Sequence, residues 1–366
     1  MGFAQTNWAK GFTFVQDSVP VNPSDADWWF RPSDGAVFVY YVCGWQRIKV
    51  DPYNVGYSVG GAFPVADGSG IPIHKIFFAM NGSANAIVTT DIPPYQCAST
   101  AVSASLAGYT LGGDFINVTS GGDLTVSTIH KLDFANDANG VQAISTFSDV
   151  IVSNSSFNSS LFGYSAGGYQ NGILSTISAY NFAAETTQPA GVSAMTTPIH
   201  SFAGGYNSSL AGYTTCGVDD NVAVQPSEKL TFANDTGATT VVDMSIVSDL
   251  EHIVYQHTAF NSTLKGYITN GPYDFERVVV TFASDDVSYP LDGSWSDFHY
   301  ASAMNGSLAG YTVGGEATPN SYSNYINTLI FAVDAASAIC TAYLSQNITH
   351  AAGMDTTDNN GFIFEV

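Results

Sequence analysis

Two segments carry the spacing of a nucleophilic serine. Gly163–Gly167 reads GYSAG and Gly56–Gly60 reads GYSVG. Each is a Gly-x-Ser-x-Gly in which Ser165 or Ser58 would attack an acyl carbon. That chemistry needs the serine on a sharp strand-to-helix turn, with a base in reach. Sister segments carry threonine at the same place, at Thr110, Thr214 and Thr312. A residue replaced copy by copy is a strand hydroxyl, so no catalytic role and no enzyme activity is expected.

Other chemistry-bearing residues follow the same copying. Acidic residues stand three places after a recurring phenylalanine, at Asp137, Glu185, Asp235, Asp285 and Asp334, with Asn81 in the first copy. A ring of carboxylates suits calcium. One carboxylate per copy is too dispersed for that, and the expected role is an Asx turn closing the strand. His74 and His130 are equivalent residues before a lysine, and the remaining five histidines form no ligand-like cluster. Cys43, Cys97, Cys216 and Cys340 are far apart, which predicts separate buried thiols, not a disulfide framework or a zinc site. Four Asn-x-Ser/Thr sequons, at Asn158, Asn207, Asn261 and Asn305, share one place just before a Gly-Tyr pair. They read as turn residues. No metal and no cofactor is expected.

The element that positions all of these is a repeat. Gly-Tyr is followed by a second glycine-rich pair, a loop, and an apolar strand ending in Phe-Ala. The copies are GYSVGG, GYTLGG, GYSAGG, GYTTCG, GYITNG and GYTVGG. Their phenylalanines are Phe78, Phe134, Phe182, Phe232, Phe282 and Phe331, at intervals of 56, 48, 50, 50 and 49 residues. A period this steady is a structural unit. In residues 150–200 the pattern predicts strands at Val150–Ser153, Leu161–Ser165 and Ile177–Ala183, with a fourth near Gly191–Met195 and a polar turn over Asn154–Ser160. Four short antiparallel strands per unit make a propeller blade. The glycine pair supplies positive φ where the second strand turns away. Tyr and Phe are expected between adjacent blades.

The fold class is therefore all-β, and the repeat resembles that of the kelch family. There too a second strand ends in Gly-Gly and a third carries an aromatic. The tryptophan usual after the third kelch strand is absent here, so the resemblance implies a kelch-like β-propeller over residues 36–366. At the C-terminus Ile348–Met354 reads as a first strand and GFIFEV as a Gly-Tyr-type strand. Half a blade is left over, to be completed by an N-terminal strand. Six blades follow; taking Ala36–Val42 and Trp45–Val50 as the missing half gives seven.

Residues 1–35 break the repeat and read as an extended anchoring arm, with Trp8, Phe12 and Phe14 in need of a surface. Residues 25–48, DADWWFRPSDGAVFVYYVCGWQRI, follow a meander pattern: WWF, a turn, VFVYY, then WQRI. This segment resembles a motif of tailed-bacteriophage virion proteins, in which Gly-Asp-Leu-Trp-Phe precedes a Tyr-Val-Tyr strand and a closing Trp. Ala26 departs from the pattern. The resemblance implies a virion structural protein, made in the host cytoplasm and carried on the particle as a tail fibre, appendage or decoration protein. The arm residues, with Trp28 and Trp29, would dock on other virion proteins, as a homo-oligomer in the assembly. Loops after Gly-Gly, carrying Asn117, Thr119, Asn320, Tyr322 and Tyr325, would contact a host surface glycan. The alternative is a host-encoded propeller serving as an interaction scaffold or lectin.

Composition fits either. The net charge of −22 opposes nucleic-acid binding. No apolar stretch is long enough to span a bilayer, so membrane insertion is not expected. Residues 1–20 lack the basic and apolar stretches of a signal peptide, and export by that route is not expected.

Overall fold

The computed structural model describes residues 14–16, 18–24, 27–31, 36–41, 44–48, 55–60, 73–78, 83–87, 96–97, 100–117, 122–147, 153–169, 172–188, 193–196, 204–214, 217–219, 222–224, 227–232, 240–242, 258–269, 278–288, 300–306, 309–318, 321–331, 335–337, 344 and 352–355. The described chain is all-β, with short 3₁₀ turns such as Phe134–Asn139. It divides into two compact units, Met1–Asn54 with Phe362–Val366, and Val55–Gly361.

The N-terminal unit holds the meander. Trp28–Arg31, Ala36–Tyr41 and Gly44–Ile48 pair antiparallel, with Trp28 opposite Val39 and Tyr40 opposite Trp45. Phe14–Val15 joins this sheet in parallel, beside Trp29 and Phe30. Part of the expected arm is thus a strand of the meander's own sheet. The division between units falls after Asn54, where the sequence reading placed it after residue 35. Trp8 and Phe12 lie outside the described residues.

The second unit contains six sheets built to one pattern. The first sheet comprises Ala352–Asp355, Val55–Val59, Ile73–Phe77 and Ser83–Ile87. The second has Thr100–Ser103, Ala107–Asn117, Gly122–Asp133 and Val141–Thr146; the third has Ser155–Asn158, Phe162–Ala166, Thr176–Asn181 and Thr186–Thr187. Gly205–Asn207, Ala211–Thr214, Ser227–Thr231 and Thr240–Val242 form the fourth; Thr258–Asn261, Lys265–Thr269, Val278–Thr281 and Asp286–Ser288 the fifth. Ser302–Asn305, Ala309–Val313, Ile326–Ile330 and Ala335–Ser337 form the sixth.

Two features differ from expectation. The first strand of the third sheet is Ser155–Asn158, inside the predicted polar turn. Its polar residues are strand residues because they bond to neighbouring sheets: Ser155 Oγ donates to the Gly204 carbonyl at 2.7 Å, and Ser156 Oγ to the Ala101 carbonyl at 2.8 Å. The second concerns the C-terminus. A first strand does form there, at Ala352–Asp355, but its partner is the first Gly-Tyr strand, with Met354 opposite Tyr57. The place expected for GFIFEV is thus filled by Val55–Val59; residues 361–366 lie outside the described residues. Among the described residues Ala36–Tyr41 and Gly44–Ile48 pair within the N-terminal sheet and with none of these six.

The packing between sheets explains the repeat. The glycine of each Gly-Tyr pair lies under a large side chain from the first strand of the preceding sheet. A Cβ on Gly212 would fall 1.9 Å from the Phe157 ring, and one on Gly56 2.2 Å from Met304 Sδ. No side chain fits there, so glycine recurs. The adjoining tyrosine stacks on the repeat phenylalanine of the next sheet. The pairs are Tyr57–Phe134, Tyr109–Phe182, Tyr164–Phe232, Tyr213–Phe282 and Tyr267–Phe331, with ring centroids 5.2–5.7 Å apart. Tyr311 of the sixth sheet stacks on Phe78 of the first, at 4.4 Å. These aromatics are the core of each seam.

First strands lie at one edge of their sheets, where backbone groups need partners. The amides of Asn207, Asn261 and Asn305 donate to the side chains of Asn261, Asn305 and Asp355, at 3.2, 2.6 and 3.0 Å. The Asp355 amide donates in turn to Ser103 Oγ at 3.0 Å. All four sequon asparagines end first strands, and Asn207, Asn261 and Asn305 are bonded to the neighbouring sheet. Asn207 and Asn261 are buried.

Candidate functional site

Three sets of polar or exposed groups repeat from sheet to sheet. The first is a buried layer in the middle of the second and third strands. Ser58 and Ser165 are fully buried. Ser58 Oγ lies 3.2 Å from Ser302 Oγ, and Ser165 Oγ accepts from Asn154 Nδ2 at 2.5 Å. Both sit mid-strand, away from any nucleophile elbow. His74 lies across from Ser58, and His130 across from Thr110. Burial lowers the pKa of both histidines, that of His74 to about 4, so both are neutral at pH 7. In the fourth sheet Glu228 takes this place, 1% exposed. Its carboxylate accepts from the Thr196 amide at 2.8 Å and the Thr196 hydroxyl at 2.7 Å. Sequence reasoning passed over Glu228; its lysine neighbour is shared with His74 and His130, and that register was the available signal.

The second set joins Tyr, Lys and acid across a seam. Asp137 accepts from Lys75 Nζ at 2.5 Å and Tyr57 Oη at 2.8 Å. Asp285 does the same with Lys229 Nζ at 2.8 Å and Tyr213 Oη at 2.9 Å. Glu185 pairs with Lys131. The hydrogen bond to Glu185 raises the Lys131 pKa. Burial first, then the aspartate beside each, pushes up the Tyr57 and Tyr213 phenols. The ammonium groups of Lys75 and Lys229 lie over the Tyr57 and Tyr213 rings, at 5.5 and 5.4 Å.

This corrects the Asx-turn reading. The Asx turn belongs to the residue just before the phenylalanine. Asp133 Oδ1 accepts from the Ala135 amide, and Asn181 Oδ1 from the Ala183 and Ala184 amides. Glu185 and Asp285 instead adopt left-handed backbone, φ 52° and 56°, and reach across the seam. Asp235, Asp334 and Asn81 lie outside the described residues. Among the described residues no three His, Cys, Asp or Glu side chains gather as a metal-binding group. Of the cysteines only Cys97 is described, at the end of a two-residue strand.

The third set is the edge beyond the glycine pairs. Gly112–Gly113, Gly167–Gly168 and Gly314–Gly315 all have positive φ. At Leu111/Gly113 the pairing shifts register and then continues, so 113–117 and 122–126 are paired strand where a loop was expected. Gln96–Cys97 adds a strand to this hairpin. Smaller hairpins occupy the same connection in the fourth and sixth sheets, at 217–224 and 316–322. A Tyr169–Ile173 bridge marks the third.

Asn117 ends the second sheet's extension, opposite Gly122. Tyr322 lies in the sixth sheet's hairpin, opposite Glu316, and Tyr325 follows it, exposed. Asn117 and Tyr322 thus both lie in hairpins that follow a glycine pair, in the second and the sixth sheet. Thr119 and Asn320 are outside the described residues. Tyr169, as exposed as Tyr325, belongs with this set and was missed because its hairpin is short.

Of the expected anchor residues, Trp29 is 1% exposed and its indole N–H donates to the Gln16 carbonyl at 2.6 Å. Phe14 is half-buried. Among the described residues no helix is long and apolar enough to cross a membrane. No protein-family model matches the chain, and no curated protein matches it.

Proposed function

We propose that the six sheets are the blades of a kelch-like β-propeller and that the chain is a structural protein of a tailed-bacteriophage virion. In this reading it serves as a tail fibre, appendage or decoration protein that presents one propeller edge to the host surface. The observation that carries the propeller is the Tyr311–Phe78 stack, which repeats at the last-to-first seam the contact made at every other seam. The kelch resemblance rests on the repeat's own residues. The virion assignment rests on the WWF/VFVYY/WQRI segment, whose three strands pair as a meander.

A ring of stacked seams makes a rigid scaffold, and hairpins on one edge give it a variable surface. Tyr169, Tyr322, Tyr325 and Asn117 supply flat rings and amides of the kind that contact sugars. The N-terminal segment is the part assigned to the particle. Purified virions would contain the chain, and deletion of residues 1–24 would leave a folded propeller that no longer joins them. A glycan array would show binding lost in the Tyr322→Ala/Tyr325→Ala variant. Absence of the chain from purified particles sinks the virion assignment. Wild-type-level array signals in the variant sink the glycan edge.

A further inference from the structure

Each of the six sheets except the fifth carries a hydroxyl two residues after the glycine of its Gly-Tyr pair: Ser58, Thr110, Ser165, Thr214 and Thr312. The fifth has Ile268 there, across from Val278. Ser58 Oγ meets Ser302 Oγ at 3.2 Å. Asn154 Nδ2 donates to Ser165 Oγ at 2.5 Å and to Thr100 Oγ1 at 3.1 Å. Thr214 Oγ1 accepts from the Glu228 amide at 3.2 Å, and Thr312 Oγ1 from Asn327 Nδ2 at 3.4 Å. Thr110 differs. Its Oγ1 has no hydrogen-bond partner, and neither has Nδ1 of His130, the residue directly across from it. The two residues are 2% and 3% exposed.

The register explains the difference. Met304 lies over Gly56, and Ser302, two residues earlier, supplies the partner of Ser58. Met354 lies over Gly108 in the same way, and two residues before it stands Ala352, which has no hydroxyl to offer. Burying a hydroxyl and an imidazole nitrogen unmet is costly, and native proteins rarely leave such atoms without a partner. The third strand's pairing with the fourth also slips at Ile129/His130, a bulge of the kind that re-aims a side chain.

We propose that Thr110 and His130 form a hydration site, holding one buried water molecule at the seam between the second sheet and the C-terminal strand Ala352–Asp355. The water stands where a serine hydroxyl stands in the preceding seam. Thr110 and His130 are cross-strand neighbours, which puts both polar atoms within reach of a single water. The chemistry selects water over an ion. Thr110 is uncharged, and burial holds His130 neutral at pH 7. The carboxylate of the C-terminal strand, Asp355, is turned to the sixth sheet, where it accepts from Asn305. An ion would therefore lie in the seam without a counter-charge. One nitrogen and one hydroxyl are also too few to ligate a metal. A water can donate to one of the pair and accept from the other, whichever ring nitrogen of His130 carries the proton. The proposal rests on this one seam, and on neither the virion assignment nor the glycan edge.

The test is a crystal structure of the full chain at a resolution that shows ordered water, together with the melting temperature of Thr110→Val. A single peak is expected about 2.7–3.2 Å from both Thr110 Oγ1 and His130 Nδ1. Thr110→Val keeps the shape and removes the hydroxyl. It is expected to melt about 2 °C lower, because the water and His130 lose a partner. A map with both side chains ordered and no peak between them overturns the proposal, as does a direct Thr110–His130 hydrogen bond. So does a Thr110→Val variant that melts at or above the wild-type temperature, the result for a hydroxyl buried without a partner. A peak about 2.0–2.1 Å from Nδ1 overturns it too, and assigns the place to a metal ion.

Discussion

Among the described residues three seams carry a charged clip, whereas the aromatic stack recurs at all six. Lysine stands on the third strand in the first, second and fourth sheets, as Lys75, Lys131 and Lys229. Each reaches the acid of the sheet that follows. In the third, fifth and sixth sheets that position is Ala179, Val279 and Thr328. The Tyr–Phe stack is present at every one of these seams. Burying a ring contributes several kcal/mol, whereas a partly exposed ion pair contributes about 1 kcal/mol or less. The difference teaches that Gly, Tyr and Phe specify the seam, and that the clip is an addition which individual copies can lose.

The largest effect expected concerns the seams that the C-terminal strand serves. Ala352–Asp355 supplies Met354, which lies over Gly108, and the Asp355 bonds to both neighbours. Ending the chain at residue 351 is expected to abolish cooperative unfolding, followed by circular dichroism on heating. A sharp transition near the wild-type temperature would show that the six sheets stand without this strand. Next come single rings. Tyr213→Ala at a clipped seam and Tyr164→Ala at an unclipped one should each cost about 3–5 kcal/mol in urea unfolding. If Tyr213→Ala proved far costlier than Tyr164→Ala, the clip would be more than an addition.

Acid sharpens the comparison in another layer. His74 is buried and neutral, with its pKa lowered to about 4, whereas Val278 fills the equivalent place in the fifth sheet. The unfolded chain takes up a proton below about pH 6.5 and the folded chain does not. Stability is therefore whole above that pH and is lost as pH falls toward 4, by up to about 3 kcal/mol. His74→Gln should remove that part of the slope, measured as unfolding free energy at pH 7, 5.5 and 4. An unchanged slope would mean that His74 is not buried and neutral in solution. The smallest effect is Lys229→Met. It should lower stability by less than about 1 kcal/mol, and less still in 1 M salt. A loss of several kcal/mol would place the clip on a par with the stack.

By itself the sequence determined the repeat and what each repeat must contain. Gly-Tyr, the glycine pair and the phenylalanine are legible because each answers to a local constraint: no room for a Cβ, a positive φ, a ring on a strand face. The WWF/VFVYY/WQRI meander was legible for the same reason, since alternation and turn residues act within a few positions. The partners of these groups came from tertiary structure. Asp137 lies 62 residues from Lys75 in the chain, and only the seam brings them together; read locally, it looked like a turn residue. Ser155–Asn158 looked like a turn because polar strand residues are rare, until the neighbouring sheets supplied their partners. Met354 and Tyr57 meet only through pairing between the two ends of the repeat array, which no local pattern records. The exposed Leu106, Leu161, Leu210 and Leu264 stayed silent for the converse reason: an apolar residue in a sequence reads as core, and only the folded turn reveals that it faces water.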